Sequence, residues 1–417
     1  MLETQSQLSS EQAYALERLC GSGNVFLTGE AGAGKSYVIR QLRKNLDEKT
    51  FPTLASTGAA AVLVGGRTFH SFFGLGIMEG GIDATIQRAL GDRRVVRRLQ
   101  NIDGFIVDEV SMLSAETLAT AEKICQLARD NHEPWGGVKV IMVGDFAQLP
   151  PVTRWRENRV WAFESPAWIE SNFEIIYLRE NHRTGESTFL KALNAIRMGE
   201  LDDATIAFLN SRQVSEGEET VFGTRLFPRV NQTQNYNERR LSEIKGEEFE
   251  FESLYSGRAS LVEKLKKLAP LPEKIILKKG AYVMLRVNDP RRRWVNGTTG
   301  YVRGIENNEL SIELENGRNI IIEKTTFSML DADGQVVAAV TNFPVSLAYA
   351  ITIHKAQGLT LSHLYVDLCG LWEPGHAYVA LSRSTSSKGL NILQWSPASV
   401  KVDQKVKRFY TQLSARA

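Results

Sequence analysis

Cysteine is scarce in this sequence, and its placement suggests neither a cross-link nor a metal site. Only three cysteines occur among 417 residues, at Cys20, Cys125 and Cys369. They are odd in number, lie far apart and include no CxxC pair, so no disulfide framework and no zinc site is predicted. We expect small, buried thiols in a reducing compartment.

Long hydrophobic runs and targeting patterns are also missing. No apolar run approaches the roughly 18 residues that a transmembrane helix needs. The N-terminus MLETQSQLSSEQ is polar and contains an early Glu3, whereas a signal peptide has a basic start followed by an apolar stretch. These absences predict a cytosolic protein that does not associate with a membrane.

An excess of charge of either sign is the third absence. Lys and Arg number 50 against 48 Asp and Glu, which gives a net charge of +2. This near balance does not by itself require a polyanionic partner, so any nucleic-acid surface must be local. The hydrophobic fraction of 43% is ordinary for a folded protein, and the length predicts two or three domains.

Strand-like apolar runs recur in the first part of the chain. Val25–Thr28 leads into a glycine-rich turn, while Gly104–Val107 and Val138–Val143 are each followed by acidic residues. Helical segments separate the runs, a succession typical of a parallel α/β sheet. We therefore predict one α/β domain over residues 1–172.

The later part of the chain shows a second α/β pattern with an interruption. The pattern opens near Phe173–Leu178 and resumes at Leu347–Ile353, so residues 173–245 and 341–417 are assigned to a second α/β domain. Between 246 and 340 the sequence changes to short alternating segments broken by Asn-Gly turns, as in a small β-barrel.

The first glycine-rich turn has the composition of a phosphate-binding loop. Residues 29–36 read GEAGAGKS and match GxxxxGK[ST] between a predicted strand and a predicted helix. The glycines let backbone N–H groups curl around phosphates at a helix N-terminus. Lys35 supplies a cation, and the Ser36 hydroxyl is suited to Mg²⁺.

A pair of carboxylates supplies the other half of a nucleotide site. Asp108 and Glu109 end the apolar segment Phe105–Val107. Asp108 is placed to hold the metal, and Glu109 to polarise the attacking water. Together with Lys35, this pair predicts hydrolysis of a nucleoside triphosphate in the presence of Mg²⁺.

Further segments carry a family resemblance. Residues 144–152 read GDFAQLPPV and follow the segment PWGGV at 134–138. The other matching segments are Gln12, Ala55–Ala61, Thr68–Phe72, Arg179–Arg183, Thr352–Thr360 and Tyr378–Arg383. This ordered set spans residues 12–383 and resembles the Pif-type superfamily 1B DNA helicases, in a short bacterial or phage form.

The resemblance implies an α/β fold of two RecA-like P-loop domains. It adds a small wedge insertion at about 74–100 in the first domain and the β-barrel insertion in the second. The implied activity is ATP-dependent 5′ to 3′ movement on single-stranded DNA with unwinding of duplex DNA. Single-strand/duplex junctions and G-quadruplex DNA are candidate partners, and we expect a monomer in the cytoplasm, associated with the nucleoid.

The resemblance also assigns roles around the nucleotide. Gln12 would contact the adenine, and Gln148 would either sense the γ-phosphate or orient water. Arg183 and Arg383 would reach across a cleft from the second domain as arginine fingers, stabilising charge on the transferring phosphoryl group. The remaining expected nucleotide contacts are Gly32, Ala33, Gly34, Tyr37 and Gly358.

A track for single-stranded DNA is expected in both halves. Binding that tolerates any sequence needs phosphate contacts and flat side chains on which bases stack. The positions that the family uses for DNA are Thr57, Gly58, His70, Phe72, His354 and Thr360.

Three further segments have two interpretations each. Arg93–Arg98 is either a solvated helix face or a duplex contact. Trp294, after Arg291–Arg293, either stacks on a strand or packs in the barrel. Gly76–Thr85 is either the wedge that splits base pairs or a surface loop.

Competing functions remain open at this point. A RecD-like or Dda-like helicase shares the fold and the ATP site but usually lacks the segment at 134–138. A P-loop ATPase that remodels protein would need arginines from another chain. A binding module with an inactive ATP site is disfavoured because Lys35, Ser36, Asp108 and Glu109 are all present.

Overall fold

The computed structural model describes residues 8–56, 67–76, 78, 80–151, 159–215, 223–269, 271–289, 291, 293–306, 308–330 and 335–414. The chain divides into two compact units. Unit 1 consists of Met1–Gly185 and Asp403–Ala417, and unit 2 of Glu186–Val402.

Unit 1 is built on a six-stranded parallel sheet with the order β3-β2-β4-β5-β1-β6. Its strands are β1 (Val25–Gly29), β2 (Thr53–Ala55), β3 (Arg67–Thr68), β4 (Gly104–Asp108), β5 (Lys139–Val143) and β6 (Glu174–Leu178). The central strands are almost entirely buried. This burial explains their uninterrupted apolar sequences, since helices cover both faces of a parallel sheet.

The helices of unit 1 surround this sheet. They are α1 (Ser10–Cys20), α2 (Lys35–Arg43), α3 (Phe69–Phe72), α4 (Gly81–Gly91), α5 (Arg93–Gln100), α6 (Ala115–Arg129), α7 (Pro166–Glu170) and the C-terminal α14 (Gln404–Ser414). Short 3₁₀ helices lie at Val110–Met112, Pro134–Gly137 and Ala162–Glu164. Helices α4 and α5 occupy the predicted insertion.

Two boundary predictions for the domains differ from the structure. Strand β6 does not open the second domain, because it pairs in parallel with β1 from Val25↔Glu174 to Gly29↔Leu178. The C-terminal segment, assigned to the second domain, belongs to unit 1. Both errors arise because an apolar strand or an amphipathic helix does not reveal from its own sequence which sheet it joins.

Unit 2 contains a second parallel sheet, with the order β18-β7-β19-β20. Its strands are β7 (Thr224–Phe227), β18 (Ala350–Thr352), β19 (Leu364–Asp367) and β20 (Leu390–Gln394). Its helices are α8 (Ser187–Met198), α9 (Asp203–Ser211), α10 (Val230–Ser242), α12 (Ile353–Ala356) and α13 (His376–Leu381), with a 3₁₀ helix at Pro397–Ser399.

Short antiparallel strands interrupt unit 2, as the turn pattern predicts, but the last of them lies at Val345–Leu347, past the predicted end of the insertion at 340. A five-stranded sheet has the order β14-β13-β12-β11-β17, a three-stranded sheet the order β15-β16-β9, and β10 pairs with β8. The strands are β8 (Phe249–Glu252), β9 (Leu254–Gly257), β10 (Lys274–Leu277), β11 (Tyr282–Leu285), β12 (Thr299–Glu306), β13 (Glu309–Leu314), β14 (Asn319–Glu323), β15 (Thr325–Leu330), β16 (Val336–Asn342) and β17 (Val345–Leu347). Helix α11 (Ala259–Leu268) lies between β9 and β10.

The segment Gly76–Thr85 is partly helical, which corrects its interpretation as a surface loop. Residues 81–85 form the first turns of α4, while residues 77 and 79 lie outside the described part of the chain. Met78 and Gly80 both have positive φ angles, of 54° and 83°. The interpretation of the segment Gly76–Thr85 as a wedge stays a proposal.

The thiols are less uniformly buried than expected. Cys125 is buried, whereas Cys20 and Cys369 are exposed. In the described residues, no helix is both long enough and apolar enough to cross a membrane.

A buried tryptophan fixes the segment before β5. Trp135 is fully buried, has a left-handed φ of 57°, and packs against Phe73 and Phe105. Its indole Nε1 donates a hydrogen bond to Ser171 Oγ at 2.8 Å. This bond connects the segment to α7, because Ser171 is the C-terminal cap of that helix.

We expect Ser171→Ala to lower the free energy of unfolding of unit 1 by about 1–3 kcal/mol, because a buried indole N–H loses its acceptor. Urea denaturation followed by tryptophan fluorescence measures the change. Ser10→Ala, at an exposed position of the same unit, is the control. Equal stabilities of the two variants would show that the Trp135 bond contributes nothing.

Candidate nucleotide and DNA sites

The phosphate loop forms at the end of β1, as the sequence predicts. Gly34 is the N-cap of α2 with a φ of 84°, and Ala33 before it is buried. The Lys35 ammonium donates hydrogen bonds to Gly29 O at 2.8 Å and Glu30 O at 3.0 Å. The loop therefore curls around Lys35 above the α2 N-terminus, a geometry that binds phosphates.

Gln12 lies directly against this loop. Its side chain is buried, and a Cβ placed on Gly34 would lie 2.4 Å from its Nε2 atom. A capping box holds it there: Ser9 N donates to Gln12 Oε1 at 3.3 Å, and Gln12 N donates to Ser9 Oγ at 3.4 Å. Gln12 is thus fixed beside the loop, and its contact with adenine stays a prediction.

The two predicted carboxylates lie at the end of β4: Asp108 is its last residue, and Glu109 follows it. Burial raises the pKa of Asp108, and Lys35 opposes that rise. Its Oδ1 atom accepts a hydrogen bond from the Glu109 N–H at 2.9 Å. Glu109 has a left-handed φ of 55°, a conformation that costs a non-glycine residue energy and is found more often at functional sites.

A magnesium ion with its triphosphate fits these groups. Mg²⁺ is held by hard oxygen ligands, commonly one or two from the protein together with phosphates and water. Ser36 is exposed in the first turn of α2 and offers a hydroxyl, and Asp108 offers a carboxylate. Tyr37, also in this turn, is half-buried.

Arg183 lies in the first unit, contrary to its prediction as a group of the second domain. A Cβ on Gly32 would lie 2.9 Å from the Arg183 Cβ, so this arginine belongs to the same compact unit as the phosphate loop. The reason is β6: since that strand completes the first sheet, the segment after it also stays in unit 1.

Asn181 is the residue that holds this segment on the loop. Its Nδ2 atom donates to Ala31 O at 2.7 Å, and its Oδ1 atom accepts from Arg183 N at 2.9 Å. His182 N also donates to Gly32 O at 3.0 Å. The sequence marks Asn181 only as part of a matching segment, and nothing local indicates its function as a clamp.

The close pairing of β1 with β6 explains why β1 ends in glycine. A Cβ on Gly29 would lie 2.2 Å from Leu178 O, so any side chain would force β6 away from β1. The segment after β6 would move with it, and Asn181 would lose its bond to Ala31 O. The glycine thus serves strand packing as well as the turn that binds phosphate.

Gln148 lies in a compact turn after β5. Its N–H donates to Asp145 O at 3.0 Å, and the Asp145 Oδ1 atom accepts from Ala147 N at 3.1 Å. Asp145 is fully buried. These two hydrogen bonds close the turn, and the contact of the Gln148 amide with a phosphate stays a prediction.

Arg383 and Gly358 belong to unit 2. Arg383 is 2% exposed; its Nε donates to Val379 O at 2.9 Å and its Nη2 to Ser382 Oγ at 2.8 Å. These contacts orient the guanidinium within its own unit. Gly358 has a φ of 78°, and a Cβ placed on it would meet no atom of the described residues within 4 Å.

Phe72 is not a stacking platform, which corrects its predicted function in DNA binding. It is 2% exposed and packs on Phe73 with ring centroids 5.2 Å apart. The guanidinium of Arg98 lies over the same ring at 4.9 Å and donates to Phe72 O. His70 on the same short helix is half-buried, and burial lowers its pKa.

The arginines of helix α5 differ in their surroundings. Arg98 serves packing, and burial lowers its pKa to about 10. Arg93, Arg94 and Arg97 are not buried. The interpretation that these three arginines contact duplex DNA stays a proposal.

His354 and Thr360 belong to unit 2, and their contact with DNA stays a prediction. Thr360 is exposed and His354 is half-buried; burial lowers the pKa of His354, while Glu373 raises it. Lys355 and Arg286 are two cations of this unit to which sequence reasoning gave no function. Burial lowers the pKa of Lys355, and the charge of Arg286 lowers it further. A pair of like charges of this kind is suited to an anion.

Trp294 packs in the antiparallel core, which favours the second of its two interpretations. It is 8% exposed within a cluster that includes Leu285 and Ile312. Arg293 lies over its ring at 4.5 Å and pairs with Asp289 at 2.9 Å. A base therefore has little ring surface to stack on. Thr57 and Gly58 lie outside the described residues.

We expect Glu109→Gln to bind ATP normally but to hydrolyse it roughly 10²–10⁴-fold more slowly, because the carboxylate that takes the proton of water is gone. Turnover and nucleotide affinity are measured separately. Glu116→Gln, at an exposed position in the first turn of α6, is the control. A parallel loss of affinity and turnover would instead make Glu109 a structural residue.

Comparison with known proteins places this geometry in a family. A family model described as PIF1-like helicase matches residues 7–206. The ATP-dependent DNA helicase Pif1 of Bdellovibrio bacteriovorus is 51% identical over 406 residues, which cover 97% of this chain and 92% of that protein.

Solved structures of Pif1 helicases are similar to this chain over almost its whole length. Pif1 from Bacteroides sp. in complex with ADP-AlF4 is 26% identical, with a TM-score of 0.85 and coverage of 99% of this chain and 98% of that one. The Bacteroides protein in complex with ADP-AlF3 and single-stranded DNA gives a TM-score of 0.68 at 26% identity, covering 98% of each chain. The prediction of two RecA-like domains is confirmed, and the chain belongs to the PIF1-like helicase family.

Proposed function

We propose that this member of the family of ATP-dependent DNA helicases moves 5′ to 3′ along single-stranded DNA and separates the duplex ahead of it. The observation that carries the proposal is the gathering in unit 1 of a phosphate loop, the half-buried carboxylate of Asp108 and the candidate base Glu109. ATP is the cofactor, with Mg²⁺ as its usual partner.

The chemistry in unit 1 divides among its residues. Lys35 binds the phosphates, and Ser36 with Asp108 holds Mg²⁺. Glu109 takes a proton from the attacking water. Gln148 orients that water or contacts the γ-phosphate, from a turn that Asp145 stiffens.

The remaining nucleotide contacts in unit 1 are proposed from the positions of the residues at the phosphate loop. Gln12 meets the adenine from its position beside Gly34, and Gly32, Ala33 and Tyr37 complete the binding surface of the loop. Arg183 stabilises transition-state charge from the same unit, held by Asn181.

Arg383 and Gly358 serve the same nucleotide from unit 2. A cation that reaches the γ-phosphate from a second unit makes hydrolysis depend on how the units are arranged, which is how chemistry is linked to movement. The hydrogen bonds of Arg383 to Val379 and Ser382 pre-orient the guanidinium for this purpose.

The DNA track uses neutral and cationic groups. Burial lowers the pKa of His70 and of His354, which favours the uncharged imidazole in each, so we assign them hydrogen bonding or stacking. Lys355 and Arg286 supply positive charge for the DNA backbone, and Thr360 lies in the same segment of the chain as Lys355. Binding through phosphates weakens as salt rises.

The partners are single-stranded DNA and its junctions with duplex DNA, the former being present in the Bacteroides complex. Thr57 and Gly58 complete the proposed track in unit 1. G-quadruplex DNA is a candidate substrate, and a monomer associated with the nucleoid is the proposed working form. The segment Pro134–Val138, anchored by Trp135, favours this function over that of a RecD-like or Dda-like helicase.

The protein is expected to unwind a partial duplex with a 5′ tail and to leave a 3′-tailed duplex intact. Lys35→Ala should abolish ATP turnover and unwinding while its affinity for single strands stays within roughly threefold, because only a phosphate contact is lost. Lys44→Ala, an exposed lysine after the same helix, is the control. Unwinding confined to the 3′-tailed duplex would reverse the proposed direction.

Arg383→Ala is expected to reduce DNA-stimulated kcat by roughly 10²–10⁴-fold with little change in nucleotide affinity. Because the arginine acts within its own chain, mixing Arg383→Ala with Lys35→Ala protein should restore no ATP turnover. Recovery of turnover in the mixture would mean that the arginine comes from another chain, and the monomeric motor would be wrong.

A further inference from the structure

A tyrosine hydroxyl from the end of the chain is buried beside the phosphate loop. Tyr410 lies on α14 and is 2% exposed. Its oxygen lies 2.9 Å from Asp145 Oδ1, 2.9 Å from Phe146 N and 3.1 Å from Thr28 Oγ1. These three partners come from the turn after β5 and from the penultimate residue of β1.

The donors and acceptors of this cluster can be assigned. A phenol has one proton and two lone pairs. The proton goes to the Asp145 carboxylate, which has none to give, and the backbone N–H of Phe146 must donate to the phenol oxygen. The second lone pair then accepts from the Thr28 hydroxyl. All of the hydrogen-bonding capacity of the hydroxyl is thus used.

Helix α14 is anchored so that this hydroxyl has a fixed position. Phe409 stacks on Phe163 with ring centroids 4.4 Å apart, and Val406 is 1% exposed. At the surface Lys405 forms an ion pair with Glu164 at 2.8 Å. A helix packed by aromatic rings on one side presents its tyrosine with little freedom of movement.

The bridged elements carry the residues of hydrolysis. Thr28 is followed by Gly29, whose carbonyl accepts a hydrogen bond from Lys35. Asp145 begins the turn that carries Gln148, and its carbonyl accepts the Gln148 N–H. The phenol therefore connects the entry to the phosphate loop with the base of the Gln148 turn.

We propose that Tyr410 is a positioning residue for ATP hydrolysis, acting through the Asp145–Gln148 turn. Its hydroxyl holds this turn against the end of β1 and so sets the distance between the Gln148 amide and the phosphates. This inference rests on the proposed function of Gln148. It makes the last helix of the chain part of the hydrolytic apparatus.

The test is Tyr410→Phe, which keeps the ring and removes the hydroxyl. The DNA-stimulated kcat should fall by roughly 5- to 30-fold, the equivalent of one or two net hydrogen bonds. The KM for ATP and the affinity for single-stranded DNA should stay within roughly threefold, because no proposed contact with either ligand is changed. Tyr14→Phe, an exposed tyrosine of unit 1, is the control and should retain wild-type kcat.

A double variant distinguishes positioning from simple stabilisation. If Tyr410 acts through Gln148, Tyr410→Phe combined with Gln148→Ala should be no slower than Gln148→Ala alone. Additive losses, an unchanged kcat in Tyr410→Phe, or an unchanged kcat in Gln148→Ala would each overturn the proposal. If the wild-type protein lacks DNA-stimulated turnover, the proposed function itself fails.

Thr28→Val keeps the test decisive should Tyr410→Phe unfold. Valine resembles threonine in shape but lacks the hydroxyl that donates to the phenol. We expect Thr28→Val to lower kcat less than Tyr410→Phe does, with an unchanged KM for ATP. Thr28→Val combined with Gln148→Ala should be no slower than Gln148→Ala alone. A thermal unfolding curve for each variant fixes an assay temperature at which all are folded, and unchanged turnover of Thr28→Val there contradicts the proposal.

Discussion

Parallel pairing of β1 with β5 and β6 is the constraint on which the nucleotide site depends. The register aligns Val25–Leu27 with Ile141–Val143, and Gly29 with Leu178. In a parallel sheet the carboxyl ends of all strands lie at one edge, where ligands bind. The phosphate loop, Asp108, the Gln148 turn and the Asn181 segment each follow such an end, so one hydrogen-bonding pattern gathers four distant parts of the sequence.

Contiguous motifs can be predicted from the sequence, and the residues that depend on distant contacts cannot. Lys35, Asp108 and Glu109 are recognisable because strand, turn and side chain are neighbours in the sequence. Strand β6, by contrast, has an apolar pattern that fits either sheet, and only its pairing with β1 decides. For the same reason the sequence places Arg183 in the wrong unit, and Tyr410 gives no signal at all.

The aromatic residues show a related limit. A ring at a position used for DNA serves equally well as a core residue, and sequence alone does not reveal which face is covered. Phe72 is covered by Phe73 and Arg98, and Trp294 by the antiparallel core and Arg293. In both cases an arginine that suggested phosphate binding instead lies over the ring. The apparent signal for nucleic acid was a cation–π pair.

The location of Arg183 changes how coupling between the units must be understood. An arginine held to the phosphate loop by Asn181 is present in unit 1 regardless of what unit 2 does. Its proposed charge stabilisation therefore needs no group of the second unit. Of the two predicted arginine fingers, Arg383 alone belongs to unit 2. Under the proposed function, the coupling of hydrolysis to unit 2 therefore falls to Arg383, whose bonds to Val379 and Ser382 lie within the same unit as His354 and Thr360. The proposed DNA contacts at those two residues and the proposed arginine finger are then carried by one compact unit.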